Sequence, residues 1–134
     1  METARPRIHR TRRNLGTAVG SVTTGLQHVE VEPGKLSAPQ HCHSLEEEIF
    51  VMLAGEGILL LGDDEIPMSA EHVVSRPPGT GMAHTFRGGD EGLTYLAYGT
   101  REPGDVCFYP ESSKIAVAGA IFRVEPLDYW DGED

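Results

Sequence analysis

Apolar and polar residues alternate along most of the chain, in short segments separated by glycine, proline and acidic turn residues. Residues 48–54 and 58–61 are predicted to form a hairpin around a Gly-Glu-Gly turn, and 83–87 and 93–98 two strands around a Gly-Gly-Asp turn. A period of two is typical of β-strands, whose successive side chains point to opposite faces. We count about eight to ten strands and no convincing helical period, so the sequence predicts an all-β sandwich or barrel.

The length and composition fit one small domain. Of 134 residues, 39% are hydrophobic, which is enough for one core. The 16 glycines and 9 prolines are typical of a turn-rich β fold or of disorder, and the alternating segments favour the β fold. We expect an irregular basic arm at 1–16, a barrel at 17–125 and an aromatic, acidic tail at 126–134. The tail should pack on the barrel, because a free tail would expose Tyr129 and Trp130.

Charge is distributed unevenly along the chain. The formal net charge is −10, yet residues 1–13 hold five arginines and one acid, which leaves −14 on residues 14–134. So acidic a body would repel polyphosphate, and this argues against nucleic acid as the main partner. One interpretation of the basic stretch is an arm that binds nucleic acid or a membrane surface. The second is a stretch with no such partner, which is either a solvated tail or an arm that lies on the acidic body of this chain or of a partner chain. The charge pattern favours the second interpretation.

Cysteine use indicates a reducing compartment, and the hydropathy pattern contains no segment typical of a membrane span. The two cysteines, Cys42 and Cys107, are too few for a disulfide framework or a zinc finger, and we expect both to be buried packing residues. No apolar run approaches the roughly 18 residues of a membrane span. No apolar segment follows Arg12 and Arg13, as a twin-arginine signal would require. We therefore expect a cytoplasmic protein without a membrane partner.

Three histidines and one glutamate form the strongest candidate for a chemical site. His41 and His43 are two residues apart, so both point to one face if they lie in a strand. Glu48 begins the next strand and His84 follows a Pro-Gly loop, so each can approach the pair from a neighbouring strand. Three imidazoles and one carboxylate suit one divalent ion of Mn, Fe, Co, Ni or Zn, bound at about 2.0–2.2 Å. The alternative is that these are ordinary surface or core side chains.

Residues 34–55 resemble the first motif of the cupin superfamily, in which a glycine precedes His-X-His, a glutamate and a second glycine. Glu48 meets the glutamate-to-glycine spacing of that motif with six intervening residues, whereas Glu47 leaves seven. Residues 77–84 are similar to the second motif. The resemblance covers residues 17–100 and implies that the family's metal ligands fall on His41, His43, Glu48 and His84.

The resemblance also implies a fold and an assembly. The fold is a single-domain jelly-roll β-barrel, or double-stranded β-helix, with the metal near one mouth. Cupins of this size are often homodimers, and residues 17–24 of one copy are then expected to pack on the partner. The chain looks similar to small bacterial type-2 cupins, some of which are loosely called sugar-phosphate isomerase-like or oxalate-decarboxylase-like. Such names do not establish a function, because one fold hosts many activities.

Side chains that share a strand face with the ligands are candidates for contact with a substrate. We expect these substrate-binding residues to be Phe50, Met52, Arg76, Phe86, Tyr95 and Tyr98. Either Tyr95 or Tyr98 would supply a hydroxyl to the substrate from a neighbouring strand. Arg76 would pair with an acidic substrate. Arg87 has the wrong parity relative to His84 to do so. Ordinary packing or surface ion pairing is the alternative for each of these residues.

These features predict a metal-dependent enzyme that acts on a small polar or acidic metabolite. Open coordination positions would support decarboxylation, isomerisation or dioxygenation. The alternative is a non-catalytic barrel that binds or senses a metabolite, and a third hypothesis is a structural domain with a vestigial site. Neither a Ser-His-Asp arrangement nor a dinucleotide-binding fingerprint is present in the sequence.

Overall fold

Two β-sheets contain almost all of the regular structure. The computed structural model describes residues 1–133. In chain order the elements are β1 (Glu2–Ala4), β2 (His9–Asn14), α1 (Leu15–Ala18), β3 (Thr24–Val31), β4 (Cys42–His43), β5 (Glu48–Leu61), β6 (Asp64–Ser69), β7 (Val73–Arg76), β8 (His84–Thr100), β9 (Cys107–Tyr109), β10 (Lys114–Val117) and β11 (Ala120–Arg123).

Strand pairing is antiparallel throughout the two sheets. The larger sheet has seven strands in the order β1-β2-β3-β8-β5-β6, with β7 paired to β5 beside β6. The smaller sheet has four strands in the order β11-β10-β9-β4. The predicted all-β fold is therefore confirmed.

β5 and β8 are long continuous strands, where the sequence predicts two pairs of short ones. β5 has 14 residues and β8 has 17. The glycine segments predicted as turns lie inside these strands, and the pairing shifts between Met52 and Ala54 and again between Gly55 and Gly57. Gly55 has a φ of 77°, and a Cβ there would lie 2.2 Å from the carbonyl oxygen of Gly92. The glycines thus form β-bulges that bend the strands without ending them.

The hydrophobic core lies between the inward faces of β3, β5, β6 and β8. Alternate residues of these strands are buried, as the period-two pattern predicts. The core comprises Val29, Val31, Phe50, Met52, Leu59, Met68, Phe86, Leu93 and Tyr95. It leaves the end of the barrel near β4 and β9 for the polar site described below.

The N-terminal segment is part of the larger sheet, and the predicted irregular arm at 1–16 is wrong. β2 pairs with β3 over five residues, and β1 folds back on β2. Register places Arg10 opposite Val31 and Arg12 opposite Val29, both of which are buried. Paired residues of antiparallel strands share a face of the sheet. Two of the five arginines therefore face into the barrel, and residue 16 is not a domain boundary.

The only helix among residues 1–133 is a single turn. It begins after Asn14, whose side chain accepts a hydrogen bond from the backbone N–H of Thr17 at 3.2 Å. An asparagine at this position satisfies a donor that the first helical turn leaves free. With four residues, the helix is far too short to cross a membrane.

The C-terminal tail does not pack on the barrel, contrary to the prediction. Tyr129 is 82% exposed and Trp130 is 70% exposed. Their rings contact each other edge to face at 4.8 Å, and Asp128 Oδ1 accepts a hydrogen bond from Trp130 N. The tail therefore turns on itself, and the two aromatic rings contact each other while staying largely exposed to solvent. Asp134 lies outside the described residues.

Candidate metal centre

The four predicted ligands meet at one end of the barrel. His41 and His84 exchange two backbone hydrogen bonds, of 3.1 and 2.9 Å. His43 lies in β4, and Glu48 is the first residue of β5. Glu48 and His84 lie near opposite ends of the paired β5 and β8, yet their side chains meet because these strands bend back across the barrel.

The carboxylate of Glu48 lies between two imidazoles. Its Oε1 is 3.3 Å from Nε2 of His43 and 3.6 Å from Nε2 of His84. One ligand atom each of His41, Glu48 and His84 lies within 4.8 Å of the others. Two atoms that bind one ion at about 2.1 Å are at most about 4.2 Å apart. The two contacts of Glu48 fall within that limit.

Unsatisfied atoms at this position indicate that a cation fits the site. Glu48 Oε1 and His84 Nδ1 are buried and have no hydrogen-bond partner. The Nε2 atoms of His43 and His84 lie near Glu48 Oε1 but do not meet the distance and angle of a hydrogen bond to it. A buried carboxylate costs free energy unless a positive charge lies against it, and that charge is either the imidazolium of His43 or a bound metal ion. Three imidazoles and a carboxylate are the donor set that divalent first-row metals prefer.

Hydrogen bonds on the far side of two rings orient their metal-facing nitrogens. His41 Nδ1–H donates to the carbonyl oxygen of Pro39 at 2.8 Å. His43 Nδ1–H donates to Oδ2 of Asp105 at 2.7 Å. In the neutral form of each ring this bond places the proton on Nδ1 and leaves the lone pair on Nε2, as metal-binding histidines require.

Asp105 is a residue of the site that the sequence analysis missed. Its Oδ1 accepts backbone N–H bonds from Leu45 at 2.9 Å and Glu46 at 3.1 Å, so the carboxylate is held on both sides. Burial opposes its ionisation, but His43 and the two backbone donors prevail and lower the pKa of Asp105. No sequence signal marks Asp105, because its partners lie 59 to 62 residues away.

The imidazoles titrate very differently. Burial disfavours the charged form of His43, but its interactions with Glu48 and Asp105 prevail and raise its pKa to about 9. Burial and the neighbouring His41 lower the pKa of His84 to about 3. A metal ion that binds here must therefore displace a proton from His43, since a ligating imidazole is neutral.

Cys107 lies at the site, where the sequence predicts only packing. It is 7% exposed, and its Sγ lies within 4.8 Å of one nitrogen of His41 and one of His43. Burial raises its pKa to about 11. Cys42 is buried, as predicted, and both cysteines are free thiols.

A cavity of about 350 Å³ lies against the candidate ligands. This is within the range of small-molecule pockets, roughly 300–1,000 Å³. Of the predicted substrate-binding residues, it is lined by Phe50, Phe86 and Tyr95. Their rings pack against one another at centroid distances of 4.8 to 5.7 Å and form an apolar wall.

The other predicted substrate-binding residues lie outside this cavity. Met52 points inward as predicted, but it is 1% exposed and belongs to the hydrophobic core. Arg76 lies beside His43, Glu48 and His84 in a separate pocket of about 10 Å³. It donates a hydrogen bond to Thr80 Oγ1 at 3.2 Å.

Tyr98 also lies outside the cavity, because it faces away from the barrel interior and is 45% exposed. It lines an open groove of about 1,020 Å³, together with Arg101. Both the groove and the cavity are lined by Gln27, Glu46, Glu48 and Ala97. The groove therefore borders the candidate site.

The sequence and the fold place this chain among known proteins. The profile of the cupin domain family matches residues 27–97, more than half of the chain. The chain belongs to the cupin family. Its all-β architecture is that of the cupin double-stranded β-helix, as the resemblance implies. A search of curated proteins found no match to this cupin.

Two solved structures resemble the cupin over most of its length. One is a protein of Acidithiobacillus ferrooxidans with a provisional sugar phosphate isomerase assignment (31% identity, TM-score 0.81, 90% of this chain and 81% of that one). The other is named a sugar phosphate isomerase of Silicibacter pomeroyi (27% identity, TM-score 0.82, 96% and 90%). A Thermotoga maritima protein described as a predicted oxalate decarboxylase shares only the fold (20% identity, TM-score 0.62, 76% and 93%).

Two arginines of this cupin, Arg10 and Arg12, line the cavity although the sequence analysis assigned them to an irregular basic arm. Tyr109 of β9 is a third lining residue that the sequence analysis did not single out. The alternation Arg10-Thr11-Arg12 was the available signal, since it puts both arginines on one face of a strand. Only the pairing of β2 with β3 shows that this face of the strand points into the barrel.

Proposed function

We propose that this cupin binds one divalent transition metal ion through His41, His43, Glu48 and His84, and acts on a small acidic metabolite in the adjoining cavity. The observation that carries this proposal is the buried Oε1 of Glu48, which has no hydrogen-bond donor and lies 3.3 and 3.6 Å from two imidazoles. The candidate ions are Mn, Fe, Zn, Ni and Co, because the same donor set accepts each of them.

The residues around the cavity suggest how a substrate would be held. The four candidate ligands would hold a divalent ion, which would supply Lewis-acid stabilisation to a carboxylate or carbonyl oxygen of the substrate. Burial raises the pKa of Tyr95 to about 12, so its hydroxyl keeps its proton. Tyr95 can therefore orient a substrate oxygen by donating a hydrogen bond. Phe50 and Phe86 give the cavity an apolar surface beside Tyr95.

Isomerisation of a phosphorylated sugar is the first reaction to test. Two of the similar solved structures carry a sugar phosphate isomerase name, at 31% and 27% identity over most of the chain. Decarboxylation and dioxygenation are the other reactions that the donor set supports. Binding of a metabolite without turnover is the non-catalytic form of the same proposal.

Metal content tests the proposal directly. Untagged protein purified without chelator is expected to contain about one ion per chain by elemental analysis, and His84→Ala to contain much less. His28→Ala is the matched control, because His28 lies on β3 away from the site, with Glu30 as its ion-pair partner at 3.8 Å. Wild-type protein without metal, even after incubation with each candidate ion, would overturn the metal proposal.

We also propose that the protein is a homodimer. Val19 and Val22 are 85% and 81% exposed, in the segment 17–24 that the resemblance places at a dimer contact. These two side chains offer apolar surface that a partner chain would cover. Light scattering is expected to give twice the mass of the chain, and Val22→Lys to shift the protein towards the monomer. A monomeric wild type at micromolar concentration would contradict the proposal.

A further inference from the structure

Two arginines from the N-terminal strand line the cavity, on the same face of the larger sheet as Tyr95. Arg10 and Arg12 both line the cavity, together with His41 and Tyr95. Their positions follow from register, because they pair with the buried Val31 and Val29. Residues two apart on one strand are about 6–7 Å apart, so their guanidinium groups can reach one small ligand.

No carboxylate among residues 1–133 forms a salt bridge with either arginine. The ion pairs of this strand are those of Arg13 with Glu30 at 3.7 Å and of His9 with Glu2 at 3.4 Å. The Nε of Arg10 is buried and has no hydrogen-bond partner. The chain carries ten more acidic than basic residues, so two unpaired inward arginines are not explained by a shortage of acids.

The two arginines are also close enough to repel each other. Burial lowers the pKa of Arg10, and the charge of Arg12 lowers it further. A buried cation is costly unless it is paired, and a second cation beside it adds to that cost. A bound anion removes both costs. A dianion matches two guanidinium groups, whereas a single carboxylate leaves one positive charge unpaired.

The cavity connects the arginines with the candidate metal ligands. Its lining includes His41, His43, Glu48 and His84 as well as both arginines. A ligand with an acid group at one end and an oxygen at the other can therefore contact both groups of residues within about 350 Å³.

We propose that Arg10 and Arg12 bind the phosphate group of a small phosphate monoester, whose remaining oxygens face the His41, His43, Glu48 and His84 cluster. The phosphate end of this proposal stands on the arginines alone, and its orientation rests on the proposed metal function. Arginine forms bidentate, charge-assisted hydrogen bonds with phosphate oxygens, which suits this role. The N-terminal strand thus determines the class of substrate.

Phosphate binding to protein stripped of metal tests this proposal separately from the metal function. The probe is inorganic phosphate at pH 8, with ionic strength held constant by chloride, and binding is measured by calorimetry and by the rise in melting temperature. Wild-type protein is expected to bind phosphate more tightly than acetate. Arg10→Gln and Arg12→Gln are each expected to weaken phosphate binding about tenfold to a hundredfold.

Arg13→Gln is the matched control, because it removes the same charge from the same strand on its outward face. It is expected to bind phosphate as the wild type does. Circular dichroism identifies any variant that fails to fold, and the comparison of phosphate with acetate in wild-type protein then decides alone. Equal affinity for the two anions, an equal loss in Arg13→Gln, or binding of phosphate only to metal-loaded protein would overturn the proposal. Absence of metal from the purified protein would not affect this measurement.

Discussion

His43 donates its Nδ1 proton to Asp105 across 2.7 Å, and this bond joins two residues that lie 62 positions apart in the chain. The same Asp105 carboxylate is fixed by the backbone N–H groups of Leu45 and Glu46. His43 is thereby held with its Nε2 towards Glu48. The loop before β9 therefore controls the orientation of a candidate ligand that belongs to β4.

Asp105→Asn is expected to weaken metal binding about tenfold to a hundredfold, because a neutral amide accepts the His43 proton less strongly and raises the basicity of the ring less. Competition with a chromophoric chelator measures the change. Asp63→Asn, in the exposed turn between β5 and β6, is the control and should bind metal as the wild type does. Equal affinities in Asp105→Asn and wild-type protein would show that this bond does not support the site.

Glu48 and Cys107 belong to two alternative groups of ligands, which share His41. Glu48→Gln is expected to lose at least about a factor of ten in metal affinity, because the remaining imidazoles carry no negative charge. Cys107→Ser is expected to bind metal nearly as tightly as the wild type. The cobalt-loaded protein should accordingly lack the near-ultraviolet band of a thiolate ligand. A strong band that disappears in Cys107→Ser would instead place the metal on the sulfur.

Removal of the metal is expected to lower the melting temperature. An ion that binds only the folded state, at one hundred times its dissociation constant, contributes about 2.7 kcal/mol. For a domain of this size the loss corresponds to roughly 10 °C. Differential scanning calorimetry with and without chelator measures it. His43→Ala should show no response to chelator, and an equal response in that variant would assign the effect to another site.

Gly55→Ala is expected to destabilise the fold strongly. The left-handed backbone alone costs roughly 1–2 kcal/mol, and the new Cβ would lie 2.2 Å from the Gly92 carbonyl oxygen. Displacement of that strand adds about 1–3 kcal/mol. Gly34→Ala is the matched control, with a φ of 71° and no atom within 4 Å of its Cβ. Urea unfolding compares them, and equal losses would mean that β8 moves aside at no cost.

Strand content and the shared face of His41 and His43 were predictable because both depend on local pattern. Alternation of apolar residues marks strands, and the two-residue spacing of His41 and His43 puts both rings on one face. The glycines of β5 were misinterpreted as a turn, since a bulge and a turn both favour glycine at positive φ. Only the pairing with β8 shows that the strand continues.

The sequence by itself determined the all-β class, the cupin resemblance and the candidate ligands, because alternation along the strands and the two motifs at residues 34–55 and 77–84 specify them. Only the tertiary structure decided that Arg10 and Arg12 enter the cavity, that Asp105 supports His43, and that Tyr98 faces the outer groove. The physical reason is that these placements depend on pairing between strands distant in the chain. A strand pattern specifies two faces, but the neighbouring strand decides which of them is inside.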